Sequence, residues 1–184
     1  MTKVSHCYLA AIRPVRLFAL LLVLLTVPAC GQTDGNNPTT YDRMLRTLYR
    51  NTVPVVRPAQ LAILLEKKPK AVLLLDTRTP AEYQVSHLRN ARFVDFDTFD
   101  KNTFADLPRN QTVVVYCSVG YRSERVGERL KALGFQDVRN LYGGIFQWVN
   151  EGRLVYNEQG ATQNVHPYSP LWSPWLKKGQ PVYK

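Results

Sequence analysis

The chain has 184 residues, of which 45% are hydrophobic and 21% charged, with 24 basic and 14 acidic residues, three histidines and three cysteines. The formal net charge is +10, yet the basic residues are scattered, paired only briefly as in Lys67 with Lys68 and Lys177 with Lys178, and no nucleic-acid-binding motif accompanies them. Widely separated cysteines without a histidine cluster do not make a metal site, so no metal and no organic cofactor is expected.

The first sixteen residues carry Lys3, Arg13 and Arg16 and no acid, and an apolar run follows from Leu17 to Val27. A basic start, a short apolar stretch and the small residue Ala29 before a cut describe a secretory signal over residues 1–29. The apolar run is shorter than the about 20 residues that span a bilayer. Residues 1–29 hold three basic residues and no acid, so the remainder carries +7 from 21 basic and 14 acidic residues. That balance reads as a soluble basic surface, the alternative being attraction to anionic donors or lipid headgroups. The sequence Val27, Pro28, Ala29, Cys30 resembles the bacterial lipobox, which implies acylation of Cys30. Gly31 in second place resembles lipoproteins sent to the outer membrane of Gram-negative cells. An exported, membrane-anchored protein facing the periplasm or cell exterior is therefore expected. Cys7 lies in the signal and Cys30 at the cut, which leaves Cys117 as the free thiol with no intramolecular disulfide. Residues 30–52 are expected to hold the lipidated Cys30, a polar tether and a short helix with Met44, Leu45 and Leu48 on one face.

Residues 53–152 form the expected domain, long enough for one core. Pro58–Leu65 suits a helix opened by proline. Ala71–Leu75 is an unbroken apolar run and so a buried strand. Thr79, Pro80 and Glu82 fit a capping box. Strands are expected at Ala91–Val94, Thr112–Tyr116 and Val138–Leu141. Helices are expected at Ser123–Leu133, ended by Gly134, and at Gly144–Val149. The alternation predicts an α/β fold with a central parallel sheet flanked by helices and a site at the carboxyl ends of the strands. Residues 153–184 combine Tyr156, Tyr168, Trp172, Trp175 and Tyr183 with Pro167, Pro170, Pro174 and Pro181. They read as an irregular tail packed on the domain, or alternatively as a segment that docks a protein partner or a membrane interface through Trp172 and Trp175.

Cys117 stands at the carboxyl end of the strand Thr112–Tyr116, and Ser118, Val119, Gly120, Tyr121, Arg122 and Ser123 follow it. Amides of such a turn can converge as an anion-binding nest, aided by the helix N-terminus, and the same field favours a thiolate nucleophile. The candidate site is Cys117 as nucleophile. Ser118, Val119, Gly120, Tyr121, Arg122 and Ser123 are the candidate substrate-binding residues. Gly120 supplies backbone freedom, Arg122 holds an anion, Ser118 and Ser123 donate hydrogen bonds, and Val119 and Tyr121 contribute amides and walls. Ser123 has the alternative role of helix N-cap. Asp76 and Arg78 read as structural, with Asp76 holding loop amides and Arg78 paired with Glu82.

These residues resemble the rhodanese (sulfurtransferase) family over roughly 53–152. The resemblance is carried by Leu73 to Arg78, by Pro80 to Tyr83, and by Ser86, His87, Leu88, Asn90 and Ala91. The Cys117 loop and Leu141 to Trp148, with Gly143 and Gly144, complete it. Four residues separate Cys117 from Arg122, whereas cysteine phosphatases and related arsenate reductases place five there, and Tyr116, not histidine, precedes Cys117. The resemblance implies that Cys117 takes a sulfane sulfur from an anionic donor such as thiosulfate, holds it as a persulfide and passes it to cyanide or a thiol. It also implies that His87 belongs to a structural turn. The alternative is a non-catalytic rhodanese-like module that binds a partner or senses oxidants and persulfides through Cys117.

Overall fold

The computed structural model describes residues 38–183, which lie in one compact unit. The expected signal, Cys30 and most of the expected tether lie outside the described residues.

The chain enters through α1 (Thr40–Leu48), opened by a capping box in which Thr39 Oγ1 accepts the Asp42 amide and the Asp42 carboxylate accepts the Thr39 amide. Short β1 (Val55–Val56) leads to α2 (Pro58–Lys67), with proline in the first turn as expected. β2 (Val72–Asp76), α3 (Pro80–Val85), β3 (Arg92–Phe93) and β4 (Thr112–Tyr116) follow. A 3₁₀ turn at Lys101–Phe104 lies between β3 and β4. Next come α4 (Tyr121–Ala132), β5 (Asp137–Leu141) and α5 (Gly144–Asn150).

The five strands form one parallel sheet in the order β1-β5-β4-β2-β3. This is the expected α/β architecture. β4 is central, in register with β2 at Leu74 and Val114 and with β5 at Val113 and Val138. Its side chains alternate between two cores. Val113 and Val115 pack with Val126, Leu130 and Phe135, while Val114 and Tyr116 pack with Leu45, Leu61, Ile145 and Phe146. Burial on both faces is the reason β4 reads as a continuous apolar run rather than an alternating one.

Residues beyond 151 are more ordered than an irregular tail. β6 (Val155–Asn157) and β7 (Gly160–Thr162) make an antiparallel hairpin, and β8 (Asn164–Val165) pairs in parallel with β9 (Gln180–Pro181). The hairpin joins the main body through paired amides and carbonyls of His87 and Tyr156, each at 2.8 Å. Val155, Val165 and Leu176 are buried in the same core as Leu45 and Tyr116. Among the described residues no helix is long and apolar enough to cross a membrane.

Candidate active site

β4 ends at Tyr116 and α4 begins at Tyr121, so residues 117–120 make a tight turn at the carboxyl edge of the sheet's central strand. Helix α4 starts two residues earlier than the sequence suggests. Gly120, not Ser123, is its N-cap, at φ +102°. That left-handed conformation favours glycine. Space demands glycine as well, because a β-carbon there would lie 2.0 Å from the Tyr49 hydroxyl oxygen.

Each carbonyl of the turn is tied to a partner. The Cys117 carbonyl accepts the Ile145 amide at 2.9 Å and the Ser118 carbonyl accepts the Phe146 amide at 3.1 Å. The Val119 carbonyl accepts the Tyr49 hydroxyl at 2.7 Å, and the Gly120 carbonyl accepts Asn140 Nδ2 at 2.9 Å. A trans peptide sends the next amide opposite to its carbonyl. The amides of Ser118, Val119, Gly120 and Tyr121 therefore face the other way. The Gly120 amide shows the direction, donating to Cys117 Sγ at 3.1 Å. Among the described residues the other three amides have no acceptor. The result is a row of donors on one side of the turn, one of them on Sγ, around a cysteine that is 1% exposed, at the N-terminus of a twelve-residue helix. Such an arrangement stabilises negative charge on sulfur and on an anion beside it.

Charged groups brace the turn from the α3 side. Glu82, at the third position of α3, is fully buried. One oxygen accepts the Thr79 amide and hydroxyl, each at 3.0 Å, completing the expected capping box. The other accepts the Ser118 hydroxyl at 2.6 Å and Arg122 Nη2 at 2.8 Å. Burial pushes the Glu82 carboxyl up, but the Arg122 hydrogen bond and charge, the Arg78 charge and the Ser118 hydroxyl outweigh it and hold the group below its ordinary range. Burial likewise opposes the Arg122 charge, and the Cys117 sulfur and Glu82 outweigh it, so its value is raised.

Several side chains sit differently from expectation. Arg78 does not pair with Glu82; its Nε and Nη2 grip Asp76 at 2.7–3.1 Å, two residues back, because both leave the same strand end fully buried. Asp76 does hold a loop amide, that of Arg78, at 3.2 Å. The Ser123 hydroxyl is turned from the turn's inner face and donates to Asn140 Oδ1 at 2.7 Å. The Ser118 hydroxyl is drawn to Glu82 by that buried carboxylate. Both serines brace the turn through side chains rather than offering them to a ligand. His87 lies not in a turn but in an isolated antiparallel bridge to Tyr156, stacked on Tyr83 with ring centroids 4.1 Å apart and Nδ1 3.1 Å from the Tyr83 carbonyl.

A cavity of about 340 Å³ opens over Cys117, lined also by Ser118, Val119, Tyr121 and Arg122 and by Phe96, Tyr168 and Trp172. The structure thus brings five of the expected loop residues to one cavity. It adds residues that local pattern does not mark. Tyr49 and Asn140 hold loop carbonyls, Glu82 couples Ser118 to Arg122, and Tyr168 places its ring centroid 4.8 Å from the Arg122 guanidinium. Only the capping-box pattern around Glu82 was visible in the sequence, and it indicated a helix start, not a brace for the site.

A family model, the rhodanese-like domain, matches residues 58–151. Among curated relatives, a probable adenylyltransferase/sulfurtransferase, MoeZ, of Mycobacterium tuberculosis is 31% identical over 83 residues, covering 45% of this chain and 21% of that protein. A tRNA uridine(34) hydroxylase of Aster yellows witches'-broom phytoplasma is 39% identical over 102 residues, covering 52% of this chain and 30% of that protein. The chain therefore spans less than a third of the length of either relative. Among solved structures, a thiosulfate sulfurtransferase from Pseudomonas aeruginosa superposes with a TM-score of 0.52 at 24% identity, covering 57% of this chain and 20% of that one. The BH2092 protein from Bacillus halodurans superposes with a TM-score of 0.53 at 22% identity, over 65% of this chain and 85% of that one. These two likenesses speak to fold. The family model spans more than half of the sequence and includes the whole Cys117 turn, and on that match this chain belongs to the rhodanese-like domain family.

Proposed function

We propose that the protein is a sulfurtransferase that moves a sulfane sulfur through a Cys117 persulfide. The observation that carries this reading is the outward tethering of all four turn carbonyls, which turns consecutive amides to the opposite side, where that of Gly120 meets Sγ. The Cys117 thiolate attacks the outer sulfur of an anionic donor such as thiosulfate. A bond forms from Sγ to that sulfur, the bond to the sulfonate sulfur breaks, and sulfite leaves with the electron pair. The turn amides stabilise the charge during transfer and on the resulting persulfide. Arg122 engages Glu82 and Ser118 through Nη2, and its other guanidinium nitrogens, without a partner among the described residues, are available to the donor's oxygens. Cyanide or a thiol then takes the outer sulfur and returns Cys117 to the thiolate. None of these steps calls on a metal or an organic cofactor.

The test is thiocyanate formation from thiosulfate and cyanide by the wild-type protein and by Cys117→Ser. Turnover lost in the variant, with a persulfide seen by intact mass in the wild type alone, is the expected result. A folded, reduced wild type that forms no persulfide with any sulfane donor would overturn the reading in favour of a binding or sensing module.

The proposal extends to location. The basic start, apolar run and Cys30 support an exported lipoprotein anchored through Cys30. Expressed in a bacterial host, the full chain is expected in the membrane fraction with an acylated N-terminal cysteine. Recovery of an unprocessed or unacylated chain would rule the anchor out.

A further inference from the structure

The cavity over Cys117 is larger than the donor needs. Its volume of about 340 Å³ matches some ten water molecules, against the handful of heavy atoms in thiosulfate and fewer in cyanide. Its walls are Phe96, Tyr121, Tyr168 and Trp172, surfaces suited to carbon rather than to an inorganic ion.

Two of those walls come from residues 166–179, outside the matched domain. This segment leaves β8 and returns to β9, and the pairing of Asn164 with Gln180 and Val165 with Pro181 brings its ends together. It is an Ω-loop by that closure. Its far side is pinned by Asn150, whose Oδ1 accepts the Lys177 and Lys178 amides at 2.7 and 3.0 Å and whose Nδ2 donates to the Trp175 carbonyl at 2.9 Å. Trp175 packs on Tyr41 with ring centroids 5.6 Å apart. At the site end Tyr168 adopts φ +67°, a conformation costly for a bulky side chain, with its amide donating to His166 Nδ1 at 3.0 Å. From that position the ring lies over Arg122.

Charge narrows the choice further. The cavity's two cations are each matched by a buried carboxylate, Arg78 by Asp76 and Arg122 by Glu82. Asp95 and Asp97 line the same cavity and make no ion pair among the described residues; Asp95 Oδ1 accepts the Asp97 and Thr98 amides at 2.8 and 3.1 Å, which leaves its other oxygen free, and Arg129 Nη1 donates to the Phe96 carbonyl between them at 3.1 Å. With Arg129 counted, charged side chains around the cavity leave a negative excess on the Asp95 and Asp97 side, while anion binding rests on the turn amides and the free guanidinium nitrogens of Arg122 at its floor.

We propose that the loop 166–179 selects the sulfur acceptor, and that this acceptor is a small organic thiol bearing an ammonium group. Its carbon skeleton lies against Tyr168, Trp172 and Phe96, and its ammonium faces Asp95 and Asp97. The acceptor thiolate bonds to the outer sulfur of the persulfide, the bond from that sulfur to Sγ breaks, and the electron pair returns to Cys117. The acceptor leaves as a persulfide, with no net oxidation or reduction. A folded protein thiol is disfavoured because Cys117, 1% exposed, lies at the base of a cavity walled by Phe96, Tyr168 and Trp172. This inference rests on the sulfur-transfer reading and names its second substrate.

The full chain is first loaded with sulfane sulfur, and the persulfide is verified by intact mass. Discharge is then followed with cysteamine, 2-mercaptoethanol, 3-mercaptopropionate, cyanide and reduced thioredoxin, each rate expressed per thiolate. Cysteamine is expected to exceed 3-mercaptopropionate by about tenfold, the swing that modest field interactions with a mouth charge produce. Trp172→Ala and Tyr168→Leu are expected to lower the cysteamine-to-cyanide ratio by about tenfold, with Trp172→Phe largely restoring it. Asp97→Asn is expected to shrink the preference over 3-mercaptopropionate by about threefold. Thermal unfolding of each variant separates a lost contact from a lost fold. Equal rates for the charged thiols, a ratio unmoved in folded Trp172→Ala, or thioredoxin as the faster acceptor would overturn the inference while leaving sulfur transfer intact. Failure to load Cys117 from any donor would sink both.

Discussion

The proposed nucleophile, Cys117, is prepared by its neighbours' backbone and not by a neighbouring base. Four carbonyls face partners on α5, Tyr49 and Asn140, and planarity turns the amides the other way. Tyr49 is central to this. Its hydroxyl donates to the Val119 carbonyl and accepts the Gly143 amide at 2.9 Å, so one atom joins the two glycine-bearing turns of the site. Burial raises the Tyr49 hydroxyl far above its ordinary value, which keeps it a donor at every working pH. Tyr49→Phe leaves a buried carbonyl and a buried amide without a partner and is expected to destabilise the fold by about 1–3 kcal/mol. It should also slow persulfide formation, since the Val119 carbonyl is then free to rotate and withdraw the Gly120 amide. Urea unfolding and single-turnover loading check both effects. An unchanged unfolding midpoint would show that water replaces the hydroxyl.

At the level of elements, the site is the meeting of two strand ends, β2 and β4, with the starts of α3, α4 and α5. Glu82 joins them. As the N3 residue of α3 it closes a capping box, and as a buried carboxylate it fixes Ser118 and Arg122 on the other side. Removing one partner of such a pair leaves the other uncompensated, so Glu82→Ala is expected to cost about 3–5 kcal/mol. The pH dependence has a definite sign. Burial raises the Glu82 carboxyl, Arg122 overcomes that, and its folded value lies below the ordinary one. Its contribution is complete above the ordinary value of about 4.3 and is lost as pH falls through the lowered folded value. Asp42 and Asp137 are shifted the same way, so some acid sensitivity remains without Glu82. Unfolding free energy measured from pH 7 downward should fall in acid, and less steeply in Glu82→Gln. An identical slope in the variant would show that the Glu82 pair does not titrate with folding.

For the whole molecule, the hydrophobic core extends beyond the matched domain on both sides. α1 contributes the fully buried Leu45 before it, and Val155, Val165 and Leu176 enter the same core after it. Burying each such side chain stabilises by about 1.5–3 kcal/mol. The three beyond the domain together are thus comparable with a whole domain's net stability of about 5–15 kcal/mol. A chain ending at Gly152 is therefore expected to lose its cooperative urea transition or to shift it sharply downward, followed by far-ultraviolet circular dichroism. A transition with unchanged midpoint and slope would show that the tail only decorates the domain. Asn150→Ala, which unpins the Ω-loop without touching Cys117, should have a milder effect of about 1 kcal/mol.

By itself the sequence determined what depends on neighbours within a few residues. Unbroken apolar runs placed β2 and β4, because a strand buried on both faces needs no alternation. Proline and the Thr79–Glu82 spacing placed α2 and α3, because caps are satisfied locally. The spacing from Cys117 to Arg122 placed the sulfur and its amides in one turn, because four residues cannot carry it far. The start of α4 was missed by two residues, since Gly120 caps it through backbone conformation and leaves no side-chain signal. β1, β8 and β9 are two residues long and exist only through pairing with partners well removed along the chain, and β6 and β7 are a three-residue hairpin pair that carries no apolar run to mark it. What tertiary structure alone decided is which groups face the sulfur. Tyr49, Asn140 and Tyr168 reach the turn from 70, 20 and about 50 residues away along the chain. Arg78 chose Asp76 over Glu82, and the serine hydroxyls turned to Asn140 and Glu82, because a buried polar group takes the nearest partner the packed fold supplies, and that partner has no fixed place in the sequence.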